Sequence, residues 1–400
     1  MDFSLTQEQL QIRDTARKIA EEVIMPNAER YDLNREIPWE AIKALSEIGM
    51  MAPIIPEEYG GPGLDYMSYA LIGEQIARAD TGTGTVVGVH CSLCVAPILN
   101  YGTEEQKKKY LPKLATGEWL GAFALTEPNA GSDASNILTR AEDKGDYWLI
   151  NGEKQWTTNG DIARIIILFA TVDPAKGLQG ITPFIIDTEW EGFSAGAIER
   201  TFGIHASHQV VTRYDNIKVP KDHVLGGDRS IGRGFQVALG TLDGGRIGVA
   251  ASAVGLATRA IEEAVKYTKE RVQFGQQISK FQAIQFKIAD MAMKVNAARL
   301  MAYYAAWLKD QGCKIVREAA MAKCYASDVA MEITLEALQC HGGYGYSMEY
   351  PLEKLVRDAK IHQIYEGTNE IQRVVISREI FKRGIFIPFE EIEEAMRKLS

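Results

Sequence analysis

The sequence predicts an α+β protein of several domains: an all-helical N-terminal domain, a middle β domain of barrel or sandwich type, and a C-terminal four-helix bundle. Three observations predict it. Apolar residues recur at helical spacing through residues 1–118. Residues 119–232 then carry β-branched runs of strand length. From 233 to 383 the helical period returns, in segments long enough to pack as a bundle. A short tail, 384–400, follows. With 400 residues the chain can bury more than one core.

The first helix is expected over 6–25. Thr6 and Gln9 are spaced as a capping box. Leu10, Ile12, Ala16, Ile19, Ala20 and Val23 follow at helical spacing, and Pro26 stops the run. Further helices are expected over 39–48, 66–79, 86–101 and 104–116, with a turn-rich connection, PIIPEEYGGP, at 53–62. In the middle region, 147–150 and 154–157 flank Asn151-Gly152. That dipeptide supplies the positive φ angles of a type I′ turn, so a hairpin is expected there. Other strands are expected over 165–172, 182–186 and 210–219. Long helices are expected over 235–271, 281–311 and 316–341, with a shorter one after Asn369. In the tail, Ile385, Phe386, Ile387 and Phe389 precede an acidic helix that could dock or fray.

Composition excludes several functions. Hydrophobic residues are 46%, charged residues 24% and net charge is −9, which argues against a general nucleic-acid binder. No run of about 18 apolar residues stands out, so no membrane span is expected. The N-terminus reads as folded helix and not as a signal peptide. Cys91, Cys94, Cys313, Cys324 and Cys340 are an odd, sparse set, as in a reducing compartment. Cys91 and Cys94 have C-x-x-C spacing but no second ligand pair, so buried or pocket-lining thiols are expected. Gly232-Arg233-Gly234 sits in no βαβ unit and lacks a third glycine, which rejects a dinucleotide fold. The histidines and acids form no spaced metal cluster, and no metal is expected.

Several stretches can carry chemistry. FALTEPNAGSD, 123–133, places Asn129, Gly131 and Ser132 in a tight loop. Its backbone N–H groups could bond a planar ring or a phosphate, or could simply make a polar turn. Trp156 and Thr158 follow on a strand, where a tryptophan is ordinarily core. TLDGGR, 241–246, opens a long helix, and Gly244 and Gly245 remove bulk there. Arg271 in RVQFG carries a planar fork that can donate paired hydrogen bonds. The glycines of QCHGG, 339–343, let backbone approach a neighbour closely. Finally, RDAKIHQIYEGTNEIQR, 357–373, leaves one carboxylate, Glu366, at a helix–helix break between Tyr365 and Gly367. A carboxylate at a turn ordinarily faces water.

Taken together, these strings resemble the acyl-CoA dehydrogenases over essentially the full chain. TLDGGRIGVAA and RVQFGQQISKFQ are most similar to the short-chain, butyryl-type members. The resemblance implies FAD as cofactor and Glu366 as the base that takes the α-proton of an acyl-CoA thioester. It implies flavin contacts from Phe123, Leu125, Thr126, Gly131, Ser132, Trp156 and Thr158. Thr157 stands where most members have isoleucine, on the opposite pleat face. The resemblance assigns the FAD diphosphate and adenosine to Arg271, Gln273, Phe274, Phe281 and Gln282 across a subunit interface, with Gln339, Gly342 and Gly343. Thr368 and Glu370 complete that shell. Ser132, Leu242, Asp243, Arg246, Tyr365 and Gly367 would meet the acyl-CoA. His341 reads as a helix-end histidine without a catalytic part. Cys91, Cys94 and Val95 are expected where the acyl tail ends.

The implied reaction yields a trans-2-enoyl-CoA and passes electrons to an electron-transfer flavoprotein. The thioester carbonyl would be polarised by the Glu366 backbone N–H and a flavin ribityl hydroxyl. A branched, cyclic or dicarboxylic acyl group, an oxidase using oxygen, and a non-catalytic acyl-CoA-binding protein are the alternatives. Absence of arginine in 87–98 weighs against a dicarboxylate. The family implies a homotetramer, a dimer of dimers. The expected compartment is the cytoplasm, or the mitochondrial matrix for a eukaryotic source.

Overall fold

The computed structural model describes residues 4–399, so residues 1–3 and 400 of the expected end segments lie outside the described residues. Helix α1 (Gln7–Ile19) starts where its capping box dictates: Thr6 Oγ1 accepts from Gln9 N and Gln9 Oε1 accepts from Thr6 N, both at 3.1 Å. The helix runs on through a π turn (Ala20–Ile24) and a 3-10 turn (Met25–Asn27) that holds Pro26. Helices α2 (Ala28–Asn34), α3 (Trp39–Glu47) and α4 (Tyr66–Ala79) follow. The helix expected over 86–101 begins earlier, as α5 (Thr81–Gly88), because the Asp80 side chain accepts from Thr83 N at 2.7 Å. It continues through a π turn (Val89–Val95) into α6 (Ala96–Tyr101), and α7 (Glu104–Ala115) has its own capping box.

The continuous stretch Thr81–Tyr101 is the most apolar helix of the N-terminal domain. An 18-residue window of this 21-residue helix has a mean hydropathy of 1.5, which matches a membrane span by length and composition. It is instead a core helix, with 83% of the apolar window buried inside the fold.

The middle domain is a single curled sheet of seven strands: β1 (Gly121–Ala124), β2 (Arg140–Asp143), β3 (Tyr147–Thr158), β4 (Ile165–Thr171), β5 (Ile181–Asp187), β6 (Phe193–Ile198) and β7 (Gln209–Pro220). Strands β1 and β2 lie along one edge of β4 and β5 along the other. Asn151-Gly152 does not make the expected hairpin. β3 runs unbroken through it, and the register on β7 slips between Ile150 and Gly152. Asn151 Oδ1 accepts from Asn216 N at 2.8 Å, which stabilises the bulge in β7. Gly152 permits a close strand crossing, since a Cβ there would lie 2.7 Å from Thr139 Cα. The real turn is one step earlier: Gly145 has φ +86° and Lys144 N donates to Tyr147 O.

The C-terminal domain holds α8 (Gly234–Glu270), α9 (Gln282–Asp310), α10 (Val316–His341), α11 (Leu352–His362) and α12 (Asn369–Arg383). Helices α8, α9 and α10 pack mutually, and α11 and α12 close on α10. Buried alanines, among them Ala250, Ala257, Ala298, Ala302, Ala326 and Ala330, let these helices approach closely. Two-residue strands β8 (Val272–Gln273) and β9 (Gln276–Gln277) make a small hairpin after α8. The tail docks on its own bundle: Ile387 and Ile392, in and before α13 (Phe389–Leu399), join the core, and Arg383 pairs with Glu391.

Candidate active site

Helix α11 ends at His362, and Thr368 caps α12 by accepting from Ile371 N at 3.3 Å. The intervening break holds Glu366 in the left-handed region, φ +53°, followed by Gly367 at φ +95°. That conformation costs a glutamate of order 1–3 kcal/mol and persists only where neighbours enforce it. They do so here. Gln372 Nε2 donates to Glu366 O at 3.2 Å and Gly367 O at 2.9 Å. Arg246 Nε of α8 also points to Glu366 O, at 3.4 Å, and its Nη1 binds Asp243 at 2.7 Å. Lys323 Nζ of α10 donates to Gly367 O at 2.8 Å.

The Glu366 carboxylate lies against α8 at Gly245, where a Cβ would fall 2.3 Å from Oε2. That oxygen is buried and has no hydrogen-bond partner among the described residues. Burial therefore lifts the carboxyl to about 7, against the opposing pull of Arg246 and Lys323. The Glu366 backbone N–H makes no hydrogen bond among the described residues.

A cavity of about 850 Å³ opens in front of this carboxylate. Its far wall comes from the β domain. The loop after β1 supplies Phe123, Leu125, Thr126, Gly131 and Ser132, and β3 supplies Trp156 and Thr158. Lys154 and Glu127 brace the loop from behind in a fully buried ion pair of 2.7 Å. Lys154 also donates to Leu125 O, and Glu127 accepts from Thr139 N at 2.9 Å and Leu138 N. Gln155 N donates to Thr126 O, tying β3 to the loop. A second bulge, between Lys154 and Thr157, sets Trp156 at φ +58° and turns its ring out of the ladder, 52% exposed. Thr157 points the other way, buried against Thr212 Oγ1 at 3.1 Å.

Leu242, Arg246, Tyr365, Gly367 and Thr368 line the same cavity, so it gathers thirteen of the expected site residues including Glu366. Arg271, Gln273, Gln339, Gly342 and Gly343 line a second cavity of about 680 Å³ beside Tyr344, whose ring lies 5.5 Å from the Arg271 guanidinium. Asp243, Phe274, Phe281, Gln282 and Glu370 line neither. Phe274 is 94% exposed, at a positive φ before Gly275. His341 also lines the second cavity; its Nδ1 faces Ala337 O at 2.9 Å and its ring stacks on Tyr267.

The expected end of the acyl channel needs correction. Ser92 and Leu93 face the cavity, whereas Cys91, Cys94 and Val95 turn into the core. Cys94 packs on β1, where a Cβ at Gly121 would lie 2.4 Å from its Sγ. The π turn rotates this face relative to a regular α-helix. Sequence reasoning also missed Lys323, Gln372, Ser252, Tyr69 and Gly248. Tyr69 Oη lies over Gly248, 2.2 Å from where a Cβ would sit, and both line the cavity. Lys323 alone had a visible signal, a lysine amid the small residues of AAMAKCYAS.

Comparison with known proteins accords with this geometry. Three family models match in order: "Acyl-CoA dehydrogenase, N-terminal domain" over 6–118, "middle domain" over 122–217 and "C-terminal domain" over 232–381. The chain is 44% identical to "Acyl-CoA dehydrogenase, short-chain specific" of Clostridium acetobutylicum over 382 residues, covering 96% of this chain and all of that protein. The solved structure of butyryl-CoA dehydrogenase from Megasphaera elsdenii superposes with a TM-score of 0.93 at 45% identity, over 95% of this chain and 100% of that one. A chain from the work on the electron transferring flavoprotein of Acidaminococcus fermentans and flavin-based electron bifurcation also superposes at 0.93. It is 48% identical, covering 96% and 100%.

Proposed function

The chain belongs to the acyl-CoA dehydrogenase family, a family of FAD-dependent oxidoreductases, and we propose that it desaturates a short straight-chain acyl-CoA of butyryl type to the trans-2-enoyl-CoA. The observation that carries this reading is the buried Glu366 carboxylate, raised to about 7 with one oxygen unpartnered, facing a slot beside Trp156 and Thr158. The likeness to a short-chain-specific and a butyryl-CoA enzyme supports the acyl length.

The residues present fit the cofactor. A half-exposed indole, a threonine beside it and the open loop of Ser132 offer a flat, polar-edged wall. Phe123, Leu125, Thr126, Gly131, Ser132, Trp156 and Thr158 would hold the flavin ring. Arg271, Gln273, Gln339, Gly342 and Gly343 would hold the diphosphate. When bound, FAD supplies the acceptor for the hydride that leaves the β-carbon. Glu366 removes the α-proton, and its apolar setting matches its basicity to neutral pH. The free Glu366 N–H is available to the thioester oxygen, where negative charge develops. Tyr365, Gly367, Leu242 and Arg246, the last held by Asp243, border the acyl-CoA.

Electron-transfer flavoprotein is the proposed acceptor, supported by the Acidaminococcus neighbour. We further propose a homotetrameric dimer of dimers, in which exposed Phe274 and Arg271 complete a neighbour's cofactor site, and a cytoplasmic location.

Glu366→Gln tests the core of the proposal. The variant should keep its yellow flavin and bind acyl-CoA while turnover falls roughly 10²–10⁴-fold, the usual worth of a general base. Turnover within about tenfold of the parent would move the base elsewhere. A panel of CoA esters scored by flavin bleaching tests the chain length, and peroxide formation in air tests the oxidase alternative.

A further inference from the structure

Lys323 sits in the middle of α10, fully buried among Ala319, Ala320, Ala322 and Ala326. An ammonium group in such a place requires partners. Among the described residues it finds them in the Glu366 loop and the start of α12: Nζ donates to Gly367 O at 2.8 Å and to Asn369 Oδ1 at 2.9 Å. Asn369 is itself fastened to α10, through Ser327 Oγ at 2.8 Å and Asp328 Oδ1 at 2.7 Å. The lysine thus grips Gly367, which directly follows the left-handed Glu366, and Asn369 at the start of α12.

We propose that Lys323 is a positioning residue for the base: its hydrogen bonds fix the turn that presents Glu366, and its charge keeps that carboxylate ionised. The inference rests on the reading of Glu366 as the base.

The charges around the carboxylate leave this task to two cations. Arg246 faces it from α8 and Lys323 from α10. Asp243 is spoken for by Arg246 at 2.7 Å, and Asp328 by Arg373 at 2.8 Å. Tyr69 from α4 and Tyr365 beside the base are phenols held neutral by burial. Cys324, next to Lys323, is likewise kept protonated by burial. His362, behind the loop, is kept uncharged by burial and by Lys323, at about 4. Burial lowers Lys323 to about 8, while the Glu366 charge pulls it back upward. Between about 7 and about 8 both partners are therefore charged.

The test compares the FAD-loaded parent with Lys323→Gln, which keeps a donor but not the charge, and Lys323→Met, which keeps neither. The readout is kcat against pH, with flavin content and melting as checks on folding. In both variants the acid limb should move up by about one pH unit or more. At alkaline pH Lys323→Gln should recover most of the parent kcat, and Lys323→Met should not. An acid limb that stays where the parent has it, in whichever variant folds, overturns the inference and leaves Glu366 as the base. Retained turnover in Glu366→Gln would instead remove the base reading, and this inference with it.

Discussion

A methyl group on residue 245 would lie 2.3 Å from Glu366 Oε2 and 2.9 Å from its Cδ. Gly245→Ala must therefore push the carboxylate off its seat. A displacement near 1 Å costs on the order of 10²-fold in rate. Turnover should fall by about that much while FAD content and melting stay near the parent, measured side by side. The protonation of the same carboxylate has two consequences. As a base it must be ionised, so kcat should fall as pH drops below about 7. As a buried acid it is raised above its ordinary 4.5, so the folded chain holds that proton more tightly than the unfolded one. Stability is lost as pH rises through the window from 4.5 to about 7. Glu366→Gln removes that loss, and its melting temperature should exceed the parent's at pH 8 but match it near pH 4.

At the scale of elements, the flavin-facing loop depends on the Lys154–Glu127 pair. Removing one partner of a buried pair costs about 3–5 kcal/mol. Lys154→Met should lower unfolding free energy by about that amount and weaken FAD retention, read by denaturant titration and by dialysis. Much of this level was legible in the sequence. One capping box and the helical period located α1, and the helical pattern located the long bundle helices, because those signals are local. The errors came where tertiary contacts override local preference. Asn151-Gly152 has the chemistry of a turn, yet Thr139 and Asn216 claim it for a strand crossing and a bulge. TGTGT is a poor helix former, yet Asp80 caps it and the core buries it. Cys91 and Cys94 were expected on the cavity face, and the π turn moved them off it. The string around Glu366 was legible as a motif. Of its supports, Lys323 left only the trace of a lysine amid small residues and Gln372 none, since hydrogen bonds to backbone carbonyls leave no sequence spacing.

At the scale of the whole molecule, α9 carries Phe286, Met293, Leu300, Tyr304 and Trp307 exposed along one face. An apolar stripe of that length marks an interaction surface. Under the proposed tetramer, Met293→Asp with Leu300→Asp should shift sedimentation to a smaller species and cost FAD, because Arg271 and Phe274 would then lack a neighbour. The stretch Thr81–Tyr101 carries a different consequence. It contains no Asp, Glu, Lys or Arg, and its shelter comes from segments made both before and long after it, α4 and α8 among them. While the ribosome is still extending the chain, nothing downstream can yet shield it. Such a nascent segment has the hydropathy that targeting machinery reads as a passenger for the lipid bilayer. Newly made chains should accordingly lean on holding chaperones until α8 emerges, and fragments ending near residue 118 should be prone to aggregate.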